Sequence, residues 1–161
     1  MEVETAVKTK KVSFIGTSGV GKTTLIKMLT NNVIPTEHQP TIALDFQNIN
    51  FKDLQISMWE LGGQEQFQFM WDDFIKGSSL ICVVSDSTEK NVLETKKIIS
   101  KYNNKRNQMI AIANKQDNKN KTLSPKEIQK SLGIETIGMV AIEKSNRRIL
   151  LNLLEEKMRS L

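Results

Sequence analysis

A glycine-rich segment at residues 16–23, with the sequence GTSGVGKT, matches the pattern G-x-x-x-x-G-K-[ST]. An apolar run at residues 12–15 predicts a buried strand before it, and the apolar pattern from Thr23 to Thr30 predicts a helix after it. In such a unit the glycines let successive backbone N–H groups face one concave site, and the helix N-terminus adds partial positive charge. The segment therefore predicts a cradle for the phosphates of a nucleoside triphosphate.

Two side chains at the end of this segment carry its chemistry. Lys22 would reach the outer phosphates as a mobile cation, and the Thr23 hydroxyl would ligate Mg²⁺, a hard ion that prefers oxygen ligands. The residues of this segment that we expect to bind the nucleotide are Gly16, Thr17, Ser18, Gly19, Val20, Gly21, Lys22, Thr23 and Thr24.

Short apolar runs alternate with segments of helical periodicity along the rest of the chain. Strands are predicted at residues 12–15, 44–51, 54–60, 80–85, 109–113 and 137–142. Helices are predicted at residues 23–30, 89–102, 125–131 and 145–158. This alternation predicts one α/β domain, with a mostly parallel six-stranded sheet and helices on both faces. Such sheets bind ligands at the carboxyl ends of their strands, where the motifs of this chain fall.

The composition excludes several other classes of protein. The chain has 161 residues, of which 39% are hydrophobic and 25% charged, so it can bury the core of one domain without disulfides. Its one cysteine, Cys82, excludes a disulfide framework, and its one histidine, His38, excludes a His–His metal site. No apolar run approaches the roughly 20 residues that a membrane-spanning helix needs.

The charges and the chain ends bear on partners and location. The net charge of +5 comes from lysines dispersed among acidic residues, so we expect no nucleic-acid partner. Residues 1–9 are polar and predict a flexible tail. The chain starts without the apolar core of a signal peptide or the glycine that myristoylation needs, and its end is no prenylation box. We therefore expect a cytoplasmic protein without a membrane span or lipid anchor, which a partner could recruit to membranes.

A second motif, N-K-Q-D at residues 114–117, follows the strand predicted at residues 109–113. The Asp117 carboxylate can accept two N–H bonds from the N1 and N2 edge of guanine, whereas adenine offers no such pair of donors. Asn114 can tie this loop to the glycine-rich loop, and the stem of Lys115 can cover the base. The motif predicts selectivity for guanine.

Two further segments complete a known pattern. They are Pro40-Thr41-Ile42, before the second predicted strand, and WELGGQE at residues 59–65, at the end of the third. With these segments the sequence resembles the small GTPases, and among them the ADP-ribosylation factor (Arf-like) family, over residues 12–158. The resemblance implies the small G-domain form of the P-loop NTPase fold, here over residues 10–161. It also implies GTP and GDP as ligands, Mg²⁺ as cofactor and GTP hydrolysis as activity.

The resemblance assigns roles to residues in two switch segments. In switch I, Thr41 would close over the nucleotide and give its hydroxyl to Mg²⁺. In switch II, the N–H of Gly63 would bond the γ-phosphate and Gln64 would orient the attacking water, so that Lys22, Gly63 and Gln64 form the expected catalytic set. Hydrolysis would release both segments, which makes the site a molecular switch. In this family the strands between the switches, here residues 44–60, can also shift register.

Glu60 departs from the family pattern, which carries an aspartate that holds a water on Mg²⁺. Its extra methylene leads to one of four outcomes: the loop retreats, Glu60 ligates the ion directly, the affinity for Mg²⁺ falls, or the backbone accommodates the change. The expected metal ligands are Thr23, Thr41 and Glu60, the last through a water.

Two other departures concern the base and the hydrolysis step. The family's last base-contacting element normally contains Ser-Ala-Lys, and its nearest match here is Val140-Ala141-Ile142. The backbone N–H of Ala141 could still bond guanine O6, but the flanking side chains cannot help. No arginine lies in either switch segment, so an arginine finger would have to come from a partner, and intrinsic hydrolysis is expected to be slow.

Aromatic and apolar residues near the switches predict a surface for partner proteins. The family presents an apolar cluster to its effectors at the positions of Leu44, Trp59 and Phe74, with Trp71 beside it. We expect activating, exchange and effector proteins to bind through these side chains. Alternatively, Trp71 and Phe74 pack switch II against the sheet.

Three functions stay open on the sequence alone. The first is a GTP/GDP molecular switch with slow intrinsic hydrolysis that a partner assists. The second is an assembly module that holds guanine nucleotide constitutively and hydrolyses little, which Glu60 and the altered element around Ala141 favour. The third is a small-molecule kinase, which predicts an arginine-bearing lid and leaves residues 114–117 unexplained.

Overall fold

The computed structural model describes residues 8–31, 40–41, 43–103, 108–118 and 121–159. The predicted tail up to residue 7, His38 and Ile42 of switch I lie outside these ranges. The remaining predicted site residues all lie within them.

Six strands form one sheet, which confirms the predicted fold class. In chain order they are β1 Lys8–Ile15, β2 Leu44–Phe51, β3 Leu54–Leu61, β4 Leu80–Ser85, β5 Gln108–Ala113 and β6 Thr136–Gly138. Their order across the sheet is β2-β3-β1-β4-β5-β6, with β2 antiparallel to β3 and the other pairs parallel. The glycine-rich loop, switch II and the N-K-Q-D loop follow β1, β3 and β5, so they meet at one edge of the sheet.

Helices cover both faces of this sheet. They are α1 Lys22–Thr30, α2 Trp71–Ile75, α3 Glu89–Tyr102, α4 Pro125–Leu132 and α5 Arg147–Arg159. Helices α1 and α5 share one apolar core with the sheet, and α2, α3 and α4 share the other. In β4, Cys82 and Val84 face the first core while Ile81 and Val83 face the second. Burial on both faces explains why this strand is a continuous apolar run.

The starts of two helices follow from their capping residues. Ser124 Oγ accepts the N–H of Glu127 at 3.2 Å, and Pro125 takes the first helical position. Thr88 caps α3 in the same way, by accepting the N–H of Asn91 at 3.2 Å. Within the ranges described, no helix is both long and apolar enough to cross a membrane.

Two strand boundaries differ from the predictions by more than one residue. β1 begins at Lys8 rather than at residue 12, so Lys8 and Thr9 pair with β3 instead of belonging to the tail. The side chains at this end of the strand are exposed, so polar residues occur there and no apolar run marks the start. β6 ends at Gly138 rather than at residue 142, because the next residues turn and the Glu143 N–H bonds the Val140 carbonyl at 3.0 Å.

Helical structure also differs by more than one residue at two places. α5 begins at Arg147, after a 3₁₀ turn at Lys144–Asn146, where the prediction starts one helix at residue 145. After β3 the chain forms a 3₁₀ helix at Glu65–Met70 and then α2, although the sequence pattern predicts no helix there. The two 3₁₀ segments and α2 are short, and short helices leave little periodicity to detect in the sequence.

Candidate nucleotide site

The glycine-rich loop joins β1 to α1 at the carboxyl edge of the sheet. Gly21 has a φ of 105°, in the left-handed region that favours glycine, and a Cβ at this position would overlap the Asn114 amide. α1 begins at Lys22, so the first-turn N–H groups, which have no partner within the helix, lie at the loop. Together with the helix dipole, this geometry suits a phosphate group.

The Lys22 side chain is 5% exposed and folds back over the loop. Its ammonium nitrogen donates to the carbonyl oxygens of Gly16 and Thr17, both at 2.8 Å. Burial lowers the pKa of Lys22 to about 8, although the nearby Glu60 carboxylate acts to raise it. The loop therefore holds a buried amine that a phosphate anion would keep charged.

Three oxygen-bearing side chains from separate segments meet beside this loop. Thr23 Oγ1 donates to Glu60 Oε1 and lies 3.3 Å from Thr41 Oγ1. Hydroxyl and carboxylate oxygens are the ligand types that Mg²⁺ prefers, so the predicted metal ligands fit this ion. The Glu60 carboxylate, which is buried at the end of β3, reaches the Thr23 hydroxyl itself. This contact favours direct ligation by Glu60 over a retreat of the loop.

Gly62 and Gly63 bring switch II against the glycine-rich loop and switch I. The Gly62 N–H donates to the Ala43 carbonyl at 2.8 Å, close behind Thr41 in the chain. A Cβ at Gly63 would lie 2.6 Å from both the Gly16 carbonyl oxygen and the Lys22 ammonium nitrogen, so a larger residue would separate the segments. Ser18, Gly19 and Thr24 complete the lining of the small cavity that these segments enclose.

Gln64 lies directly after Gly63, at the start of the 3₁₀ helix Glu65–Met70. Its Oε1 accepts from Gln66 Nε2 at 3.3 Å, while Gln68 Nε2 donates to the Gly63 carbonyl at 3.1 Å. The Gln64 amide is thus turned along the 3₁₀ helix. To orient a water at the cavity, it would have to leave Gln66.

Asn114 ties three segments together at the end of β5. The side chain is 2% exposed, and its Nδ2 donates to the Val20 carbonyl at 2.9 Å, which is the predicted tie to the glycine-rich loop. Its Oδ1 accepts the N–H of Ala141 at 3.0 Å. The Ala141 N–H, which the sequence interpretation gives to guanine O6, is therefore bonded within the protein.

A cavity of about 470 Å³ opens beside Asn114, within the size range of small-molecule sites. Asp117 and Lys115 line it on one side and Ala141 and Ile142 on the other. The Lys115 ammonium donates to the Gly19 carbonyl at 2.7 Å, so its stem runs from the N-K-Q-D loop to the glycine-rich loop. This arrangement joins the cavity to the glycine-rich loop.

The sequence interpretation does not find the residues that hold the N-K-Q-D loop in place. Gln116 Nε2 donates to Ser87 Oγ at 2.8 Å and to the Leu123 carbonyl at 3.1 Å, and Ser87 Oγ donates to the Asn114 carbonyl at 2.6 Å. Ser87 is fully buried after β4 and carries no motif, so no signal in the sequence marks it.

The sequence also matches a known protein family. The model of the ADP-ribosylation factor family matches residues 1–156. The chain belongs to the ADP-ribosylation factor family. ADP-ribosylation factor proteins are GTPases that bind GTP and GDP, with Mg²⁺ general to the family, so membership supports a GTP-binding switch here.

Individual ADP-ribosylation factor relatives cover most of the chain. ADP-ribosylation factor J of Dictyostelium discoideum is 31% identical over 136 residues, which is 81% of this chain and 71% of the relative. ADP-ribosylation factor-like protein 5 of the same organism is 30% identical over 79% of this chain and 71% of its own length. ADP-ribosylation factor-like protein 1 of Saccharomyces cerevisiae is 27% identical over the same shares.

The aromatic surface differs in one respect from the one expected of an ADP-ribosylation factor. Trp71 is only 1% exposed and its indole N–H donates to the Gly62 carbonyl at 3.0 Å, so it holds switch II rather than facing a partner. Leu44, Trp59 and Phe74 are partly exposed and pack on the same core. Phe46, which the sequence interpretation does not single out, is 59% exposed, and its ring lies 6.0 Å from that of Trp59.

Proposed function

We propose that this chain is a GTP/GDP molecular switch whose slow intrinsic hydrolysis is assisted by a partner protein. One observation carries the proposal: Thr41 of switch I, Gly63 of switch II and Lys22 of the glycine-rich loop surround a single small cavity. A γ-phosphate at that point would touch both switches, and its loss would release both.

The phosphates would be held by the glycine-rich loop, with Lys22 as the cation and the N–H of Gly63 as a donor to the γ-phosphate. The candidate nucleotide-binding residues are Gly16, Thr17, Ser18, Gly19, Val20, Gly21, Lys22, Thr23, Thr24, Thr41, Gly63, Asn114, Lys115, Asp117 and Ala141. Lys22 would exchange its two carbonyl partners for phosphate oxygens on binding.

Thr23, Thr41 and Glu60 would hold Mg²⁺, which supplies positive charge to the phosphates when bound. The contact between Glu60 and Thr23 supports a direct bond from the Glu60 carboxylate, in place of the water-mediated one expected from the sequence. Because Thr41 belongs to switch I, its bond to Mg²⁺ would also link the metal ion to that switch.

Guanine would occupy the cavity beside Asn114, with Asp117 accepting from its N1 and N2 edge. Because the Ala141 N–H donates to Asn114, guanine O6 would either share that donor or use the N–H of the neighbouring Ile142, which also lines the cavity. Replacing Asp117 with alanine should therefore reduce the preference for GTP over ATP.

Hydrolysis needs Gln64 to turn from Gln66 toward the cavity. The switch segments contain no arginine, so transition-state charge would be met by a cation from a partner. Activating, exchange and effector proteins would bind through Leu44, Trp59, Phe74 and the exposed ring of Phe46.

A second candidate function is a constitutive guanine-nucleotide-binding module that acts in assembly with little hydrolysis. The observations that favour it are the Glu60–Thr23 contact, which places a carboxylate on a hydroxyl expected to ligate Mg²⁺, and the engagement of the Ala141 N–H. The first would disturb the metal ion that hydrolysis needs, and the second would change the contact to the base.

A single-turnover hydrolysis assay separates the two. The protein is loaded with GTP and Mg²⁺, and the released phosphate is followed for the wild type, Gln64→Leu and Gln66→Leu. The switch predicts that Gln64→Leu slows hydrolysis more than about tenfold, while the exposed neighbour Gln66→Leu does not. Equal and negligible rates in all three would instead support the assembly module.

A further inference from the structure

Asn91, in the first turn of α3, is a buried amide that contacts the glycine-rich loop from outside every motif discussed above. It is 5% exposed, and its Nδ2 donates to Thr17 Oγ1 at 2.7 Å. Its Oδ1 accepts the hydroxyl of Ser85 at 2.8 Å and the N–H of Asp86 at 3.1 Å. Asn91 therefore joins the end of β4, the start of α3 and the loop.

The direction of this contact follows from the chemistry of its partners. A backbone N–H can only donate, so the amide atom that faces Asp86 has to be oxygen. The amide nitrogen then faces Thr17, and it also donates to Glu94 Oε2, at an N···O distance of 3.3 Å. With both ends of the amide engaged, Asn91 is a fixed donor to which the Thr17 side chain is held.

Thr17 in turn touches the two groups that the proposed function places at the γ-phosphate. Its carbonyl oxygen accepts the Lys22 ammonium at 2.8 Å. A Cβ at Gly63 would lie 2.6 Å from the Thr17 carbonyl carbon, so the backbones of the two residues are in close contact. A displacement of Thr17 would therefore move both Lys22 and Gly63.

We propose that Asn91 is a positioning residue, which fixes Thr17 and thereby sets Lys22 and Gly63 for a triphosphate rather than a diphosphate. The proposal rests on the proposed function, because it assigns Lys22 and Gly63 to the γ-phosphate. It adds α3 to the elements that define the site, through a contact that the glycine-rich motif does not contain.

The test compares the affinities for GTP and GDP, measured with fluorescent nucleotide analogues in the presence of Mg²⁺. Thr17→Val removes the hydroxyl at nearly constant volume, and we expect it to lower the ratio of GTP to GDP affinity about three- to tenfold. Thr17→Ser, which keeps the hydroxyl, should recover most of that ratio. Asn91→Ala should lower the ratio similarly, and the double variant should lose little more than either single one.

Ser78→Ala is the matched control. Ser78 is buried and shares a 2.7 Å hydroxyl–hydroxyl bond with Ser13, so its loss costs stability without touching the loop. It should leave the GTP to GDP ratio unchanged.

Three results would overturn the inference. Equal losses of GTP and GDP affinity in Thr17→Val would show a structural role only, and additive losses in the double variant would show that the two residues act separately. An unchanged ratio in Thr17→Val and Asn91→Ala would show that the contact positions nothing. If the folded wild type binds neither nucleotide, the proposed function itself fails, and that outcome is visible before any variant is compared.

Discussion

Replacement of Asn114 with alanine tests whether one buried amide holds the two halves of the site together. Its side chain bonds the Val20 carbonyl at 2.9 Å and the Ala141 N–H at 3.0 Å, in loops that are far apart in the sequence. Alanine removes both bonds, so the Val20 carbonyl and the Ala141 N–H each lose the hydrogen bond to the Asn114 side chain. The backbone of residue 114 keeps its two bonds. Its N–H donates to the Ser85 carbonyl, and its carbonyl accepts from Ser87 Oγ.

The magnitude follows from burial. The side chain is 2% exposed, so the loss of each bond lowers the free energy of unfolding by about 1 kcal/mol. Each partner that is left without a hydrogen bond adds part of a desolvation penalty of about 1–3 kcal/mol. We expect a total loss of about 3 kcal/mol in the free energy of unfolding. For a domain of this size, each kcal/mol lowers the melting temperature by about 2–4 °C, so the expected decrease is about 6–12 °C.

Thermal unfolding followed by circular dichroism, without added nucleotide, measures this decrease. The matched control is Asn152→Ala, at an exposed position on α5, which should change the melting temperature by less than about 2 °C. A variant at Asn114 that melts within about 2 °C of the wild type would refute the reasoning, because the loops would then be held by other contacts.

Three further predictions concern the loops and the core. Gly63→Ala should lower the affinity for GTP more than for GDP, measured by competition binding, because its Cβ would lie 2.6 Å from the Lys22 nitrogen. Glu60→Asp should withdraw the carboxylate from Thr23 and so remove the proposed direct bond to Mg²⁺, and a magnesium titration of GTP binding should then reach half-saturation at a higher Mg²⁺ concentration; an unchanged midpoint would contradict the direct bond. Burial raises the pKa of the Cys82 thiol, so a disulfide reagent should label Cys82 only on unfolding, and rapid labelling of the folded protein would contradict its place in the core.

The glycine-rich loop and the sheet agree with the sequence prediction because both depend on local patterns. The loop at residues 16–23 lies directly between β1 and α1 in one continuous segment, and the central strands are apolar because they are buried on both faces. β6 is predicted too long because an apolar run does not always continue a strand. Val140 and Ile142 are apolar, yet they line the base cavity from a turn instead of continuing the strand.

The exposure of the aromatic residues could not be predicted in the same way. Trp71 and Phe46 are both large apolar side chains near the switches, but one is 1% exposed and the other 59%. The difference depends on how α2 packs on the sheet, since the Trp71 indole reaches the Gly62 carbonyl across the end of β3. Such a contact between segments leaves no periodic signal in either of them.

That contact explains how one small cavity could control two segments. The Gly62 N–H bonds the Ala43 carbonyl beside switch I, and the Gly62 carbonyl accepts from Trp71 in switch II. Gly63 contacts the Lys22 ammonium on one side and accepts from Gln68 on the other. On the proposed function, a γ-phosphate that binds the Gly63 N–H would fix both peptide groups, and with them the ends of both switches. Its removal would withdraw one bond from this pair of peptide groups, and a shift of either residue would reach both switches, because two consecutive glycines have no side chains to anchor them elsewhere.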